Sequence, residues 1–476
     1  MSNISTLMFQ AAAGAAGGGA AQLLVLGSPS YTESIKLRGP ITQDSSGNFL
    51  AGTTSSQPTI YDYQGVGSLS VAVDGTVNFQ RNFDGTGSND DCYCQISDGS
   101  GNVYNFSYGF YYVNSYNQNR IWCMKINDST GTASGYWNLN YSSYYTGQLI
   151  AAHYVSSSQI YVVINDNSSH GSSGSNIMFG EFNPSSNTLT NVRYWGGSNS
   201  SGTRCSGAVC DGTYWYINAT SGEVQSGTTA DGGCVGKFTV GGVNQWWRTY
   251  GTSSQNNYGC QGIDIDSSGN VYNSYRYRDT GGGYWAVVVQ KHNSSGTKQW
   301  ERRITANSNC NGVYIDGSGR LFVSGNYIPA STNMFFAAEL NPSTGAEIWT
   351  NRLVAGSSPT GTWVTTSNTD PFQGCISEDA DGNLILLPKA SNSSFWYSTA
   401  PAWFTGIDKD GTEVDLGTEL IWETATSFPW ATYTSNTFST SALTNGSTTG
   451  SVNYSSSLPT NMGTSTTEFN TILVPT

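Results

Sequence analysis

Three histidines, His153, His170 and His292, are the only imidazoles in the chain. His153 lies in a strand-like stretch, His170 in a Ser/Gly loop, and His292 at the end of an apolar strand. Nothing in their spacing assembles a metal triad or a Ser–His–Asp relay, both of which need partners converging on one point. The carboxylates pair locally: Asp264 with Asp266, Glu378 with Asp379 and Asp381, and Asp408 with Asp410. The last two groups resemble calcium loops but lack the further oxygen ligands and the distal bidentate glutamate. A glycosidase pair needs two carboxylates facing across a cleft, which local spacing does not place. Nine cysteines are present: Cys92, Cys94, Cys123, Cys205, Cys210, Cys234, Cys260, Cys310 and Cys375. The number is odd and no Cys-x-x-Cys pair occurs, so neither zinc nor dithiol chemistry is indicated. Thiols in a chain this large fit assembly in a reducing cytoplasm. The expectation is therefore no catalytic residue, no cofactor and no metal site.

Charged residues make up 11% of the 476 positions and aromatics 13%, with a net charge of −13. Such a surface is solvated by hydroxyls and amides, as in extracellular adhesins, secreted proteins and virion parts. Only 19 Lys and Arg are spread along the chain, too few and too scattered to neutralise phosphates. Nucleic acid and anionic membranes are thus poor partners. Membrane insertion is not expected, since the longest apolar run near the start, Leu23–Leu26, is far too short to span. Residues 1–32 carry no charge, which argues against a secretory signal with its basic start.

The elements that would position any site come from a repeat. A β-like stretch ends in Asp-x-x-Gly-Asn and is followed by an aromatic or aliphatic strand. The aspartates are Asp44, Asp98, Asp211, Asp266, Asp316 and Asp379, with Ser156–Ser158 in the equivalent place of the third unit. The repeat recurs every roughly 50–60 residues, the range of propellers and solenoids. A second turn follows each first one by about 30 residues, on Gly75, Gly131, Gly242, Gly296, Gly345 and Gly411. A tryptophan stands four residues beyond three of them: Trp246, Trp300 and Trp349. Phe79 takes that place in the first unit and Asp415 in the last. Asp and Asn accept local backbone hydrogen bonds and Gly supplies positive φ. Runs such as Ala286–Val289 and Phe335–Ala338 are apolar on both faces, as in sheets covered on both sides. Small residues, cysteines among them, fall in the first strand of each unit, where converging blades leave least room. The fold class expected is all-β: a seven-bladed β-propeller with four-stranded antiparallel blades over 31–423. An Ala/Gly-rich arm (1–30) precedes it, and a Ser/Thr-rich tail or strap (424–476) follows. Ring closure is expected from Ser34–Arg38 as an outer strand of the seventh blade, with Glu413–Leu416 or Leu420–Trp422 as the alternative.

In a four-stranded blade the first and third turns share one face of the disc. The remaining connections, over 51–67, 107–119, 218–233, 276–283, 355–371 and 389–402, are long and lie on the other. They carry Tyr61, Tyr63, Tyr108, Phe110, Tyr116, Tyr277, Trp363, Trp396 and Tyr397, and Tyr144 and Tyr145 join the same candidate set. Tyr mixed with Ser, Gly and Asn is the composition of adaptable binding loops, and aromatic rings stack on sugars. These residues are the candidate ligand face.

Residues 259–303 and 310–353 resemble the bacterial β-propeller repeat abbreviated SBBP. The stretches that carry the likeness are "GIDIDSSGNVYNS", "AVVVQKHNSSGTKQW", "GVYIDGSGRLFVSG" and "FFAAELNPSTGAEIW". The resemblance implies a fold and no activity. The arm resembles the short apolar Ala/Gly starts of structural proteins from tailed phages of marine bacteria. Together these features lead us to expect a non-enzymatic virion protein on a phage tail or fibre, contacting or recognising the host surface. The expected partners are other virion proteins through 1–30 and the tail, and a host-surface glycan or protein, with several copies in a symmetric assembly. Alternatives are a capsid decoration or tail-assembly part without a receptor role, and a secreted or periplasmic lectin or polysaccharide-degrading propeller.

Overall fold

A computed structural model describes residues 24–26, 34–44, 46–56, 64–72, 77–83, 90–113, 116–139, 147–166, 176–195, 203–221, 232–250, 257–278, 285–328, 334–355, 376–378, 382–386, 402–411, 420–424, 429–432, 437–438 and 450–452. Every regular element among them is a strand. The turns explain why. Asp44 Oδ1 accepts the amides of Ser46 (2.8 Å) and Asn48 (2.9 Å), while Asn48 Nδ2 donates to Asp44 Oδ2 at 2.7 Å. Asp98 and Asp266 repeat this set with Asn102 and Asn270. One carboxylate thus folds the backbone back in five residues, and the glycine within the turn takes positive φ, as at Gly269 (+72°). The Val-, Ile- and Tyr-rich stretches on either side must then pair antiparallel.

The first strand, β1 (Leu24–Leu26), stands apart in sequence from the rest. Blade one contains β2 (Ser34–Gln43), β3 (Phe49–Ser56), β4 (Gln64–Val71) and β5 (Val77–Phe83). Blade two contains β6 (Asp90–Ser97), β7 (Asn102–Val113), β8 (Tyr116–Asn127) and β9 (Ala133–Asn138). Blade three contains β10 (Gln148–Ser156), β11 (Gln159–Asp166), β12 (Asn176–Asn183) and β13 (Thr188–Trp195). Blade four contains β14 (Thr203–Cys210), β15 (Tyr214–Ser221), β16 (Gly232–Thr239) and β17 (Asn244–Tyr250). Blade five contains β18 (Asn257–Ile265), β19 (Val271–Arg278), β20 (Trp285–His292) and β21 (Lys298–Ile304). Blade six contains β22 (Asn307–Ile315), β23 (Leu321–Ile328), β24 (Met334–Leu340) and β25 (Glu347–Ala355).

The expectation of seven like blades needs correction. Six blades are each built from four consecutive strands, and the remaining sheet is composite. It holds β26 (Ile376–Glu378), β27 (Leu384–Leu386) and β28 (Ala402–Ile407), with β1 outermost. Leu24 lies opposite Phe404 and Leu26 opposite Ala402. The first strands of successive sheets touch in a closed series, β2, β6, β10, β14, β18, β22, β26 and back to β2. Closure therefore uses Leu24–Leu26, from the arm, and not Ser34–Arg38. The latter residues are the start of β2, paired with β3 inside blade one. Of the alternatives, Glu413–Leu416 lies outside the described residues. Leu420–Trp422 belongs to β29 (Leu420–Thr424), which pairs with β25 as a fifth strand of blade six.

The tail continues this pattern backwards around the ring. After β29, β30 (Trp430–Thr432) pairs with β21, β31 (Thr437–Phe438) with β17 and β32 (Gly450–Val452) with β13. It thus adds a fifth strand to blades six, five, four and three in turn, always antiparallel.

The core lies between blades and not at a single centre. Tyr104, Phe106 and Ile121 of blade two pack with Ile160, Val162 and Phe182 of blade three. Similar buried sets join blades three and four, four and five, and five and six. A specific contact recurs at these seams. Trp246 of blade four lies against Gly296, in the last turn of blade five, and its indole Nε1–H donates to Ser294 O at 3.0 Å. Trp300 does the same with Gly345 and Pro342 O (3.1 Å), and Trp349 with Gly411 and Lys409 O (2.9 Å). Two residues on, Arg248, Arg302 and Asn351 donate to the carbonyls of those same three glycines.

At Gly345 φ is +69° and an added Cβ would sit 2.6 Å from the Trp300 ring, whereas at Gly319 φ is +86° with nothing within 4 Å. Gly319→Ala should cost only the backbone term, about 1–2 kcal/mol. Gly345→Ala adds a clash and should cost about 2–4 kcal/mol in all. Urea unfolding midpoints of the two variants test the contrast; equal losses would contradict the packed-indole account.

Candidate functional site

The antiparallel order places the Asp-turns and the Gly-turns at one end of every sheet, and the other connections at the opposite end. At that opposite end one feature exceeds the rest. Strands β7 and β8 have 12 residues each, against eight for their counterparts β11, β15 and β19. Pairing with the inner strand β6 ends at Asp90 opposite Gly109. Beyond that point the β7–β8 ladder continues for four residue pairs with no third strand among the described residues, about 13 Å of two-stranded ribbon. Phe110 faces Asn119, Tyr111 faces Gln118, Tyr112 faces Asn117 and Val113 faces Tyr116 in its register.

The segment 107–119, expected as a loop, is therefore mostly a β-hairpin, joined by two residues. Its Tyr and Asn content looks loop-like, but the Tyr- and Phe-rich run Tyr108–Val113 has high strand propensity. The hairpin gathers three of the expected ligand-face residues, Tyr108, Phe110 and Tyr116. It also carries Tyr111 and Tyr112, which the loop-based reading missed; the unbroken run from Phe110 to Tyr112 was the available signal. Tyr277 lies near the end of β19, opposite Asn257 and Ala286. Tyr61, Tyr63, Tyr144, Tyr145, Trp363, Trp396 and Tyr397 lie outside the described residues. The expected loops 51–67, 218–233 and 276–283 also begin or end in strand, since β3 runs to Ser56, β15 to Ser221 and β19 to Arg278.

Several of the described titratable residues make structural contacts. His153 in blade three stacks on Tyr161 and His292 in blade five is fully buried, its Nε2 paired with the Tyr250 hydroxyl. Burial, then Lys298 and Arg248, push the His292 pKa down to about 3. His170 lies outside the described residues. Seven cysteines are thiols. Burial pushes Cys94, Cys205 and Cys210 up to about 12, which makes them poor nucleophiles. Asp264 accepts the amides of Ile265 and Ile315, both at 2.8 Å, and so ties blade five to blade six. Asp266 organises its turn; Asp379 and Asp381 lie outside the described residues. Among the described residues no group of three or more His, Cys, Asp or Glu is placed to hold a metal ion.

One charged cluster stands at the turn end, where blade six meets the composite sheet. Lys409 Nζ pairs with Asp316 Oδ2 at 2.8 Å and with Glu378. Glu378 also accepts the Tyr314 hydroxyl at 3.0 Å. Arg320 forks onto both Glu339 oxygens at 2.8 Å and reaches Asp410 at 3.0 Å. Every cation here already faces a carboxylate, so the cluster is a clasp between sheets.

No protein-family profile matches the chain, and no curated protein matches it. Among solved structures, an ulvan lyase of a polysaccharide lyase family aligns over 75% of this chain and 92% of its own, with 10% identity and a TM-score of 0.44. A quinohemoprotein alcohol dehydrogenase from Pseudomonas putida HK5 aligns over 83% and 76%, with 9% identity and a TM-score of 0.39. The WD40 domain of SCAP from fission yeast aligns over 82% and 99%, with 7% identity and a TM-score of 0.37. Likeness this distant carries no activity across.

The clasp has a pH signature. Burial alone would raise the Asp316 pKa, but hydrogen bonds from Lys409, the Arg320 amide and Ser318 outweigh it and hold the carboxyl down at about 2. A depressed carboxyl contributes stability above its unfolded value, near 3.8, and loses that contribution as pH falls toward 2. Lys409→Met should cost about 3 kcal/mol at pH 7 by leaving buried carboxylates unpaired. The gap between wild type and variant should narrow from pH 4 to pH 2, followed by chemical denaturation at each pH. A gap that stays constant over that range would refute the clasp.

Proposed function

We propose that this chain is a non-enzymatic binding protein of a tailed-phage virion. In this reading the propeller, its six blades closed into a ring by the composite sheet, is mounted on the tail or fibre. The β7–β8 hairpin is its contact with the host surface, and the ligand class is a glycan presented there. The observation that carries the reading is that hairpin: a ribbon extended about 13 Å past its blade, bearing Phe110, Tyr111, Tyr112 and Tyr116 opposite Asn117, Gln118 and Asn119. Stacking by aromatics with hydrogen bonding by amides suits sugar rings better than it suits a charged ligand. The uncharged first 32 residues and the low overall charge support attachment to a larger particle. In this reading docking to other virion proteins uses residues 1–30 and the C-terminal tail outside its paired strands.

Replacing residues 110–119 by a two-residue Asn-Gly turn shortens the ribbon to the length of its neighbours. The thermal midpoint should shift by less than about 2 °C, while adsorption to host-cell envelopes should fall at least tenfold. Unchanged adsorption by the shortened protein would exclude the hairpin as the contact. Turnover of a polysaccharide by the intact protein would overturn the non-enzymatic reading.

A further inference from the structure

The seam between blades four and five carries amides and a charge where the seams on either side do not. Tyr216, Tyr272 and Phe322 hold equivalent places in the second strands of blades four, five and six, and the next residue is Ile217, Asn273 and Val323 in turn. Ile217 packs with apolar residues of blade three, and Val323 with those of blade five. Asn273 lies between Val271 and Tyr275 on one face of β19, the face packed against Tyr216, Val235 and Tyr250 of blade four. The register carries the difference outward across each sheet. In blade four the row is Ile217, Gly236 and Trp247, and in blade six Val323, Ala338 and Thr350. In blade five it is Asn273, Gln290 and Glu301, all buried.

Glu301 is fully engaged. Its Oε1 accepts Gln290 Nε2 and, at 3.4 Å, the Tyr275 hydroxyl, while Oε2 meets Lys298 Nζ at 2.7 Å. The two amides are not. Asn273 Nδ2 and Oδ1 and Gln290 Oε1 are buried with no hydrogen-bond partner among the described residues. The two side chains stand directly opposite, with Cβ atoms about 5 Å apart, yet do not bond each other. From the blade-four side the Tyr250 ring stacks on Tyr275 at 5.7 Å and closes the seam over them. Buried amides left unmet are costly, and protein interiors meet such groups with bound water that takes about three hydrogen bonds. The chemistry of the set selects the same ligand. Lys298 already balances the Glu301 charge, so the row attracts neither anion nor cation. Two acceptor oxygens beside one NH2 donor suit a small neutral molecule that both donates and accepts.

We propose that the seam between blades four and five is an internal hydration site, in which ordered water is bound by the Asn273 carboxamide and Gln290 Oε1. The water accepts a hydrogen bond from Asn273 Nδ2 and donates to Gln290 Oε1, with Asn273 Oδ1 as a further acceptor. Blades four and five thus meet through a solvated polar row, whereas the flanking seams meet through side-chain packing. This reading is independent of the host-binding role of the hairpin.

The test is made on the full chain in two ways. A crystal structure at a resolution that shows ordered water should place density about 3 Å from both Asn273 and Gln290. In solution, magnetisation transfer from water to the Asn273 Nδ2 protons should carry the sign of a long-lived bound water. Gln290→Leu removes one acceptor and keeps Asn273 as the reporter, and should weaken that transfer at least fivefold. The wild-type measurements decide even if the variant fails to fold. Three results would overturn the proposal: an empty site, a direct Asn273–Gln290 hydrogen bond, or transfer undiminished in Gln290→Leu. An anomalous peak at the site after soaking in rubidium chloride would place a monovalent cation there and overturn it as well.

Discussion

An indole pressed beneath the glycine turn of the next blade is the contact on which the ring most depends. Among the described residues no backbone hydrogen bond joins the four strands of one blade to those of the next, so side chains carry the contact between neighbouring blades. Trp246, Trp300 and Trp349 each fill the space that a missing Cβ leaves, and each satisfies its N–H on a carbonyl of the turn it covers. The same glycines need positive φ for the turn itself. One residue type therefore meets two demands, and the arginine or asparagine two places after the tryptophan fixes the same turn a second time. Where the series ends, at the composite sheet, the ion pairs of Lys409 and Arg320 supplement it.

This economy explains where the few cations have gone. Lys125, Lys237 and Lys291 each lie over a tyrosine on the neighbouring strand, Tyr104, Tyr216 and Tyr272. Lys291 also donates to Pro342 O of the next blade. Cation–π contacts and carbonyl bonds of this kind hold strands and seams.

The repeat was legible because its signals are local. Asp, Gly and Asn fall within five residues, and the spacing of Gly to Trp within one hairpin is constant. What each tryptophan does was not legible, since its partner lies about fifty residues further on. The hairpin was hidden by composition: Tyr, Asn and Gln read as loop, although two strands pair in register over 12 residues there. β1 is three apolar residues inside an Ala/Gly-rich arm, and the tail strands are two to five residues long. Segments that short have no measurable period, and only the sheets that they join give them meaning.

The composite sheet also sets a timetable. β1 is made well before its partner β28, which begins 376 residues later, from Leu26 to Ala402. At ordinary synthesis rates of about 5–20 residues per second, that is roughly 20–75 s. Through this interval β1 lacks its partner β28, and six blades can stack before the circle shuts. The tail strands follow β28 and fasten the blades in reverse order of their birth. The circle can be sealed only once Ala402 has been made, so a ribosome that stalls before it leaves an open ring.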